Sequence, residues 1–268
     1  MMKSKFLKTM KSISFYLLLF VLWAVIQHLF VNVFKWVSVD MFVSPFDVLV
    51  SFYGFFICNV NSFWSHVGLT LVRLFSGFAL SLITGIILAA IMERFKFFRS
   101  NIRALLTGIQ SLPNICWVPF AIIFCGLDER AVFFVIILGS APSIALAIEA
   151  SIRNVDPIYV KAGRTLGCNK IGMYTRIYIP ASMPSIILGL KQGWAFSWRA
   201  LMAGEMNCLF SSQSKGLGYL MYNLRFSGQI DNMLCIMIVL IIIGMFFEKA
   251  VFGKAENMIL RKRGLKRD

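Results

Sequence analysis

The sequence predicts an all-α membrane protein with six transmembrane helices and both ends on one side of the bilayer. Three observations carry that expectation. First, 59% of the 268 residues are hydrophobic and only 15% are charged, against roughly 45–50% and about 25% in soluble domains. The mean hydropathy is +0.77. A soluble particle of this size has too little interior to hide that much apolar surface, so a soluble enzyme, a disordered tail and a small disulfide scaffold are excluded. Second, the apolar residues gather into runs near the ~20 residues that a spanning helix needs. Third, the formal net charge of +15 is unevenly distributed between the segments that join these runs.

The first run, residues 12–34, follows Lys3, Lys5, Lys8 and Lys11. Its length, and the lack of a small-x-small cleavage site behind it, mark a retained anchor rather than a cleaved signal, with residues 1–11 as a basic cytoplasmic N-terminus. The second run is 67–92. The third lies within 105–126 and is interrupted by Pro113 and Pro119, which remove backbone hydrogen bonds and bend the helix. Broken helices at membrane depth line cavities or are buried in protein, so these two prolines are candidates for gate scaffolding. The fourth run is 131–150, a weaker fifth is 183–209 and the sixth is 232–252. Residues 67–252 therefore read as a core of five helices, and 253–268 as a basic cytoplasmic tail.

Six spans put both termini on one side, and the basic residues decide which. The N-terminal lysines, then Arg94, Lys96, Arg99 and Arg103, then Arg153, Lys161, Arg164, Lys170 and Arg176, and finally the bases from Lys249 to Arg267 make 20 of the 27 Lys and Arg. Only Lys35, Arg130, Lys215 and Arg225 fall on the other side. The split predicts cytoplasmic termini. It also accounts for the net charge without nucleic acid, because the bases occupy four separate segments and form no groove-sized patch. The six cysteines contain no C-x-x-C pair, and Cys116, Cys125 and Cys235 lie in apolar runs where the thiol behaves as a small hydrophobe; no metal site is expected. His28 and His66 are isolated in the sequence.

Residues 153–182 are too patterned for a linker. Asp156-Pro157 starts a helix, with Asp as N-cap and Pro at the first position. Ile158, Val160, Ala162 and Leu166 recur near helical spacing, and Gly167 marks a stop or tight turn. Asn169 can cap a second helix carrying Ile171, Tyr174, Ile177 and Tyr178, which Pro180 ends. Such an element on the basic side is either a docking surface for a cytoplasmic partner or an interfacial helix lying flat on lipid.

Lys161-Ala162-Gly163, Gly167 and Ile177-Tyr178-Ile179-Pro180 have the spacing of the Glu-Ala-Ala loop of ABC importer permeases, and the chain resembles that family. The stretch from Ser111-Leu112-Pro113 to Gly126-Leu127, the run Ile152-Arg153-Asn154-Val155-Asp156-Pro157, Ala203-Gly204-Glu205-Met206, and Lys215-Gly216-Leu217-Gly218-Tyr219-Leu220 resemble segments of its sulfonate/nitrate/taurine-type subfamily. The resemblance covers about residues 67–251; the first span and residues 35–66 carry none. It implies a type I ABC importer permease fold in the cytoplasmic (inner) membrane. It implies a homodimer, two cytoplasmic ATPase subunits and an extracytoplasmic solute-binding protein near residues 211–219. Lys161, Ala162, Gly163, Gly167, Ile177 and Pro180 would form the ATPase-coupling loop. This chain would bind no cofactor, ATP and Mg being used by the partner ATPase. The implied cargo is a small anion such as sulfonate, taurine or nitrate; the alternatives are a thiamine or riboflavin precursor carried by the same kind of permease, or a secondary transporter, which usually shows internal repeats. The sequence departs from the family at Lys161, where many relatives have Glu, at Gly163 in place of Ala, which lowers helix propensity by about 1 kcal/mol, and at Ile179 in place of Leu.

The sequence holds no Gly-x-x-x-x-Gly-Lys-Ser/Thr or His-Glu-x-x-His and no Gly-x-Ser-x-Gly, so no catalytic residue is expected. Glu149, Glu205 and Glu248 lie near spans, but their spacing suggests no enzyme site. In the second span Gly77, Ser81, Gly85 and Ala89 recur every four residues, a small face for close helix packing, within the chain or across a dimer. In the fifth, Lys191, Arg199 and Glu205 fall on one third of the helix at about 100° per residue. Charges at that depth face a cavity or pair, which makes these three the translocation-path candidates. Arg199, about midway, is the best anion contact, because guanidinium binds planar oxyanions in a fork; Lys191 can snorkel towards the interface. A direct Arg199–Glu205 pair is disfavoured by ~9 Å of rise between them. Gly189, Gly193 and Gly204 keep this helix slim.

Overall fold

A computed structural model describes residues 2–36, 42–54, 60–208 and 216–262, and among them every regular element is helical. Contacts divide the chain into two units, Met1–Ser65 with Met221–Leu240 and His66–Leu220 with Ile241–Asp268. Residues 221–240 thus pack in the N-terminal unit.

In the first unit α1 (Met2–His28) continues into a wider π turn, Leu29–Val33. The short helix α2 (Pro45–Tyr53) is started by a reciprocal cap: Ser44 accepts the Asp47 N–H at 3.2 Å and Asp47 accepts the Ser44 N–H at 3.3 Å. Val43, Val48 and Cys235 form a small core with Trp23, Phe52 and Leu234, and the Ser51 hydroxyl donates to Asp231 at 2.9 Å.

The second unit is built on α6 (Glu129–Arg153) and α9 (Ile179–Cys208), which pack along one another. Val132, Val135, Ile136 and Ile144 of α6 are fully buried. The approach of α9 is close because glycines face α6: a Cβ on Gly189 would strike that of Ala147, one on Gly193 would lie 2.5 Å from Ile144 Cγ1, and one on Gly204 3.1 Å from Val132 Cγ1. Helix α3 (Val60–Arg94) brings its small-residue stripe to α6 as well. A Cβ on Gly77 would lie 2.7 Å from Ile136 Cδ1 and one on Gly85 2.7 Å from Ile144 Cγ2, while Ser81 and Ala89 are buried. The stripe therefore serves packing inside one chain. Trp194 closes the core, with Phe75, Phe78 and Phe252 ring centroids 5.2–5.8 Å away.

Between α3 and α6 lie α4 (Arg99–Ser111), a 3₁₀ turn Asn114–Trp117 and α5 (Val118–Cys125), with a bend of 100° between the arms. Pro113 sits in that break, after Leu112 turns extended. Pro119 does not bend a helix as expected. It occupies the first turn of α5, where its missing N–H has no intrahelical partner to lose, so it starts a helix. The remaining elements are α7 (Pro157–Thr165), α8 (Lys170–Met173), α10 (Leu217–Phe226), α11 (Ile230–Phe247) and α12 (Lys254–Lys262), the last reached through a π turn, Glu248–Gly253.

Among the described residues, four helical stretches are long and apolar enough to cross a membrane: Ser14–Val33, Asn61–Arg94, Glu129–Arg153 and Ile230–Gly253; the bent pair Arg99–Ser111 and Asn114–Cys125 makes a fifth if it is one span. The 30-residue α9 has the length, but three charges, Gln192 and its glycines and serines dilute its apolar character.

Candidate functional site

The loop between α6 and α9 is rigidly specified. The Asp156 side chain accepts the Ile158 N–H at 2.8 Å, and Pro157 opens α7. The helix ends in a paired reverse turn: Gly167, at φ +72°, donates to the Arg164 carbonyl at 3.0 Å, and Cys168 donates to that of Gly163 at 3.1 Å. A left-handed residue closing two such bonds favours glycine. Asn169 accepts the Gly172 N–H at 2.7 Å and starts α8. Pro180 does not end this second helix. The chain widens into a π turn, Tyr174–Tyr178, where the Ile179 N–H reaches back to Tyr174, and α9 continues with Pro180 as its second residue. The turn shifts the hydrogen-bond register just where proline cannot donate.

Gly163 is buried, and a Cβ there would strike Ile177 Cδ1 and lie 2.9 Å from Met173 Sδ. The glycine in place of Ala lets α7 lie close on the following segment. The outer face of the loop is apolar and bare: Ile158 is 69% exposed, Leu166 82% and Ile171 75%. Lys161, Arg164 and Lys170 are exposed beside them. A groove of about 570 Å³ is lined by Tyr159, Ala162, Gly163, Leu166, Arg176, Ile177 and Pro180.

A second cavity, of about 610 Å³, runs along α9 and is lined by Leu188, Lys191, Gln192, Trp194, Trp198, Arg199, Gly244 and Glu248. Lys191 pairs with Glu248 at 2.9 Å. The exposed Arg199 donates to the Ala195 carbonyl at 3.1 Å, and its guanidinium lies 4.7 Å over the Phe196 ring. Among the described residues it forms no carboxylate pair. The structure thus brings Lys191 and Arg199 to one cavity.

Glu205 is not part of that cavity. Fully buried, it accepts hydrogen bonds from Arg73 and Thr70 at 3.0 Å and from the Gly218 N–H at 2.9 Å. Arg73 also reaches Glu129 at 2.6 Å. Thr70 in turn accepts the Leu217 N–H at 2.8 Å, and His66 accepts that of Gly216 at 2.9 Å. One knot of α3, α6 and α9 side chains therefore grips residues 216–218. Residues 211–215, part of the expected docking place of a solute-binding protein, lie outside the described residues. Arg73, at the centre of this knot, is marked in the sequence only by being a base inside an apolar span.

Residues 81–252 match the family described as binding-protein-dependent transport system inner membrane component. A protein of Methanocaldococcus jannaschii assigned as an ABC transporter permease is 27% identical over 195 residues, 73% of this chain and 72% of that protein. The nitrate import permease protein of Synechocystis sp. is 24% identical over 68% of this chain and 65% of its own length. The taurine transport system permease protein of Escherichia coli is 22% identical over 59% and 56% respectively. In fold the chain is similar to a subunit of the MetNI methionine ABC transporter in inward-facing conformations, with a TM-score of 0.56, 20% identity, and coverage of 78% of this chain and 96% of that one.

Proposed function

The chain belongs to the family of binding-protein-dependent transport system inner membrane components, and from that premise we propose that it moves a small anion by alternating access, driven by a separate ATPase. It is a multi-pass permease subunit of an ABC importer, not the ATP-hydrolysing component. In the proposed assembly two copies form the pathway, two ATPase subunits using ATP and Mg dock on the cytoplasmic side, and a solute-binding protein delivers from outside. Six spans cross the membrane, α9 being the fifth, and both termini are cytoplasmic, as the 20 of 27 bases on that side support.

The observation that carries the ATPase assignment is the bare apolar face of the loop, Ile158, Leu166 and Ile171, held on a tightly capped helix pair. Burying side chains of this size is worth about 1.5–3 kcal/mol each, which favours a partner surface. Lys161, where many members of the family it resembles have Glu, calls for an acidic contact on that ATPase. Closure of the ATPases draws the two loops together. It shifts the permease between two states only as far as its affinity for them differs. The anion reading rests on Arg199 in its cavity and on relatives named for taurine and nitrate.

The test is recovery of a co-expressed ATPase on the tagged permease. Leu166→Glu changes a side chain 82% exposed, so the fold is expected to persist while ATPase recovery falls at least tenfold. Equal recovery with wild type and variant would remove the loop as the dock.

A further inference from the structure

A chain of charged side chains leads from the loop into the bent span. Glu149, near the end of α6, is fully buried. One of its oxygens pairs with Arg103 of α4, and Arg99 Nε of the same helix lies 3.9 Å from the other. Arg99 also pairs through Nη2 with Glu93, in the last turn of α3, at 2.9 Å, and donates through Nε to the Met92 carbonyl at 3.1 Å. The second oxygen of Glu93 accepts the hydroxyl of Tyr174 at 3.3 Å, and Tyr174 opens the π turn that joins the loop to α9. Partial desolvation, and then the Glu93 carboxylate, raise the Tyr174 pKa above the ordinary phenol value, so near neutral pH the hydroxyl is protonated and donates.

Two carboxylates meet two guanidiniums, so the cluster is balanced in charge. A buried ion pair is weak grounds for stability, because apolar residues of similar volume often serve as well, while removal of one partner is severe. What such a cluster does supply is direction, since each forked guanidinium donates to its carboxylates in few geometries. Arg99 is the pivot, touching α3 and α6 from the first turn of α4. Helix α4 is the arm on the loop side of the 100° break.

We propose that Tyr174, Glu93 and Arg99 are positioning residues that carry a displacement of the loop into α4, and so into the bent span. The proposal rests on the loop being the ATPase dock. A shift at Tyr174 moves Glu93, Glu93 draws Arg99, and the Arg99 and Arg103 contacts with Glu149 fix where α4 pivots against α6.

Hydrogen exchange on the permease–ATPase complex in nanodiscs, with and without trapping by ATP and vanadate, tests this without knowledge of the solute. In wild type the ATPase should slow exchange across α7 and α8, and trapping should change exchange in α4. Tyr174→Phe removes only a hydroxyl from an exposed ring. It should keep the α7–α8 footprint and reduce the α4 response at least threefold; Glu93→Gln should do the same, and the double variant should be no worse than either. An intact footprint with an unchanged α4 response in both variants overturns the relay alone, as does a wild-type α4 that fails to respond. Absence of the footprint in wild type overturns the docking reading and the relay with it.

Discussion

The carboxylate of Glu205 on α9 accepts the backbone N–H of Gly218, across residues 209–215, at 2.9 Å. Two segments that read separately in the sequence, around Glu205 and around Gly216-Leu217-Gly218, are therefore one piece of structure. The glycines follow from that closeness. A Cβ at position 218 would lie 2.5 Å from Glu205 Cβ, and one at 216 would lie 2.8 Å from Arg73 Nη1 and from both Glu205 oxygens. A buried carboxylate needs donors and a counter-charge, and this one has Thr70, Arg73 and the peptide of Gly218.

Removing the carboxylate leaves Arg73 buried with Glu129, which is itself half exposed. Breaking a buried pair from one side costs about 3–5 kcal/mol. Glu205→Ala is expected to lower the unfolding midpoint in detergent strongly and to open residues 216–220 to protease. Replacing both charges, in Glu205→Leu with Arg73→Met, should recover much of the loss. A single variant as stable as wild type would show that the knot does not hold this segment.

Two glycine positions should respond differently to the same substitution. At Gly189 the new methyl meets the Cβ of Ala147 on α6, which has no rotamer to give way. Overpacking of this kind costs about 1–3 kcal/mol, so Gly189→Ala should lower the midpoint by several degrees. At Gly163 the neighbours are the ends of Ile177 and Met173, which can turn aside, and alanine recovers about 1 kcal/mol of helix propensity. Gly163→Ala should be close to neutral in the same thermal scan; a loss equal to that at Gly189 would contradict this account.

The elements set by local chemistry were legible in the sequence. The apolar runs, the Asp156-Pro157 start, the Gly167 turn and the Asn169 cap all lie within one turn of the residues that specify them. A proline's effect depends on its place in the helix: Pro119 falls in the first turn of α5, and Pro180 follows a π turn whose shifted register leaves no bond for its missing N–H. The partners of Glu205 lie up to 135 residues away, and His66 finds Gly216 150 residues on; no period in the chain announces such pairs. The helical wheel grouped Lys191, Arg199 and Glu205 on one face. It is blind to neighbours, and α3 claims Glu205 while the cavity keeps the other two.

That separation gives the sharpest prediction about the path. Arg199 faces the cavity with its charge answered by a carbonyl and a ring, whereas Lys191 is neutralised by Glu248. An entering oxyanion therefore meets Arg199 at the lower desolvation cost. A hydrogen bond to a charged group contributes about 1.5–3 kcal/mol, so Arg199→Ala should reduce uptake by about 10- to 100-fold if that contact forms on the path. Uptake would be assayed with labelled taurine and nitrate in vesicles carrying the complete importer. Basal ATP hydrolysis should stay within about twofold, because the loop is untouched. Arg199→Lys keeps the charge but loses the planar fork and should fall between the two. Unchanged uptake in Arg199→Ala would remove this residue from the path, whereas a parallel loss of ATP hydrolysis would mark it as structural.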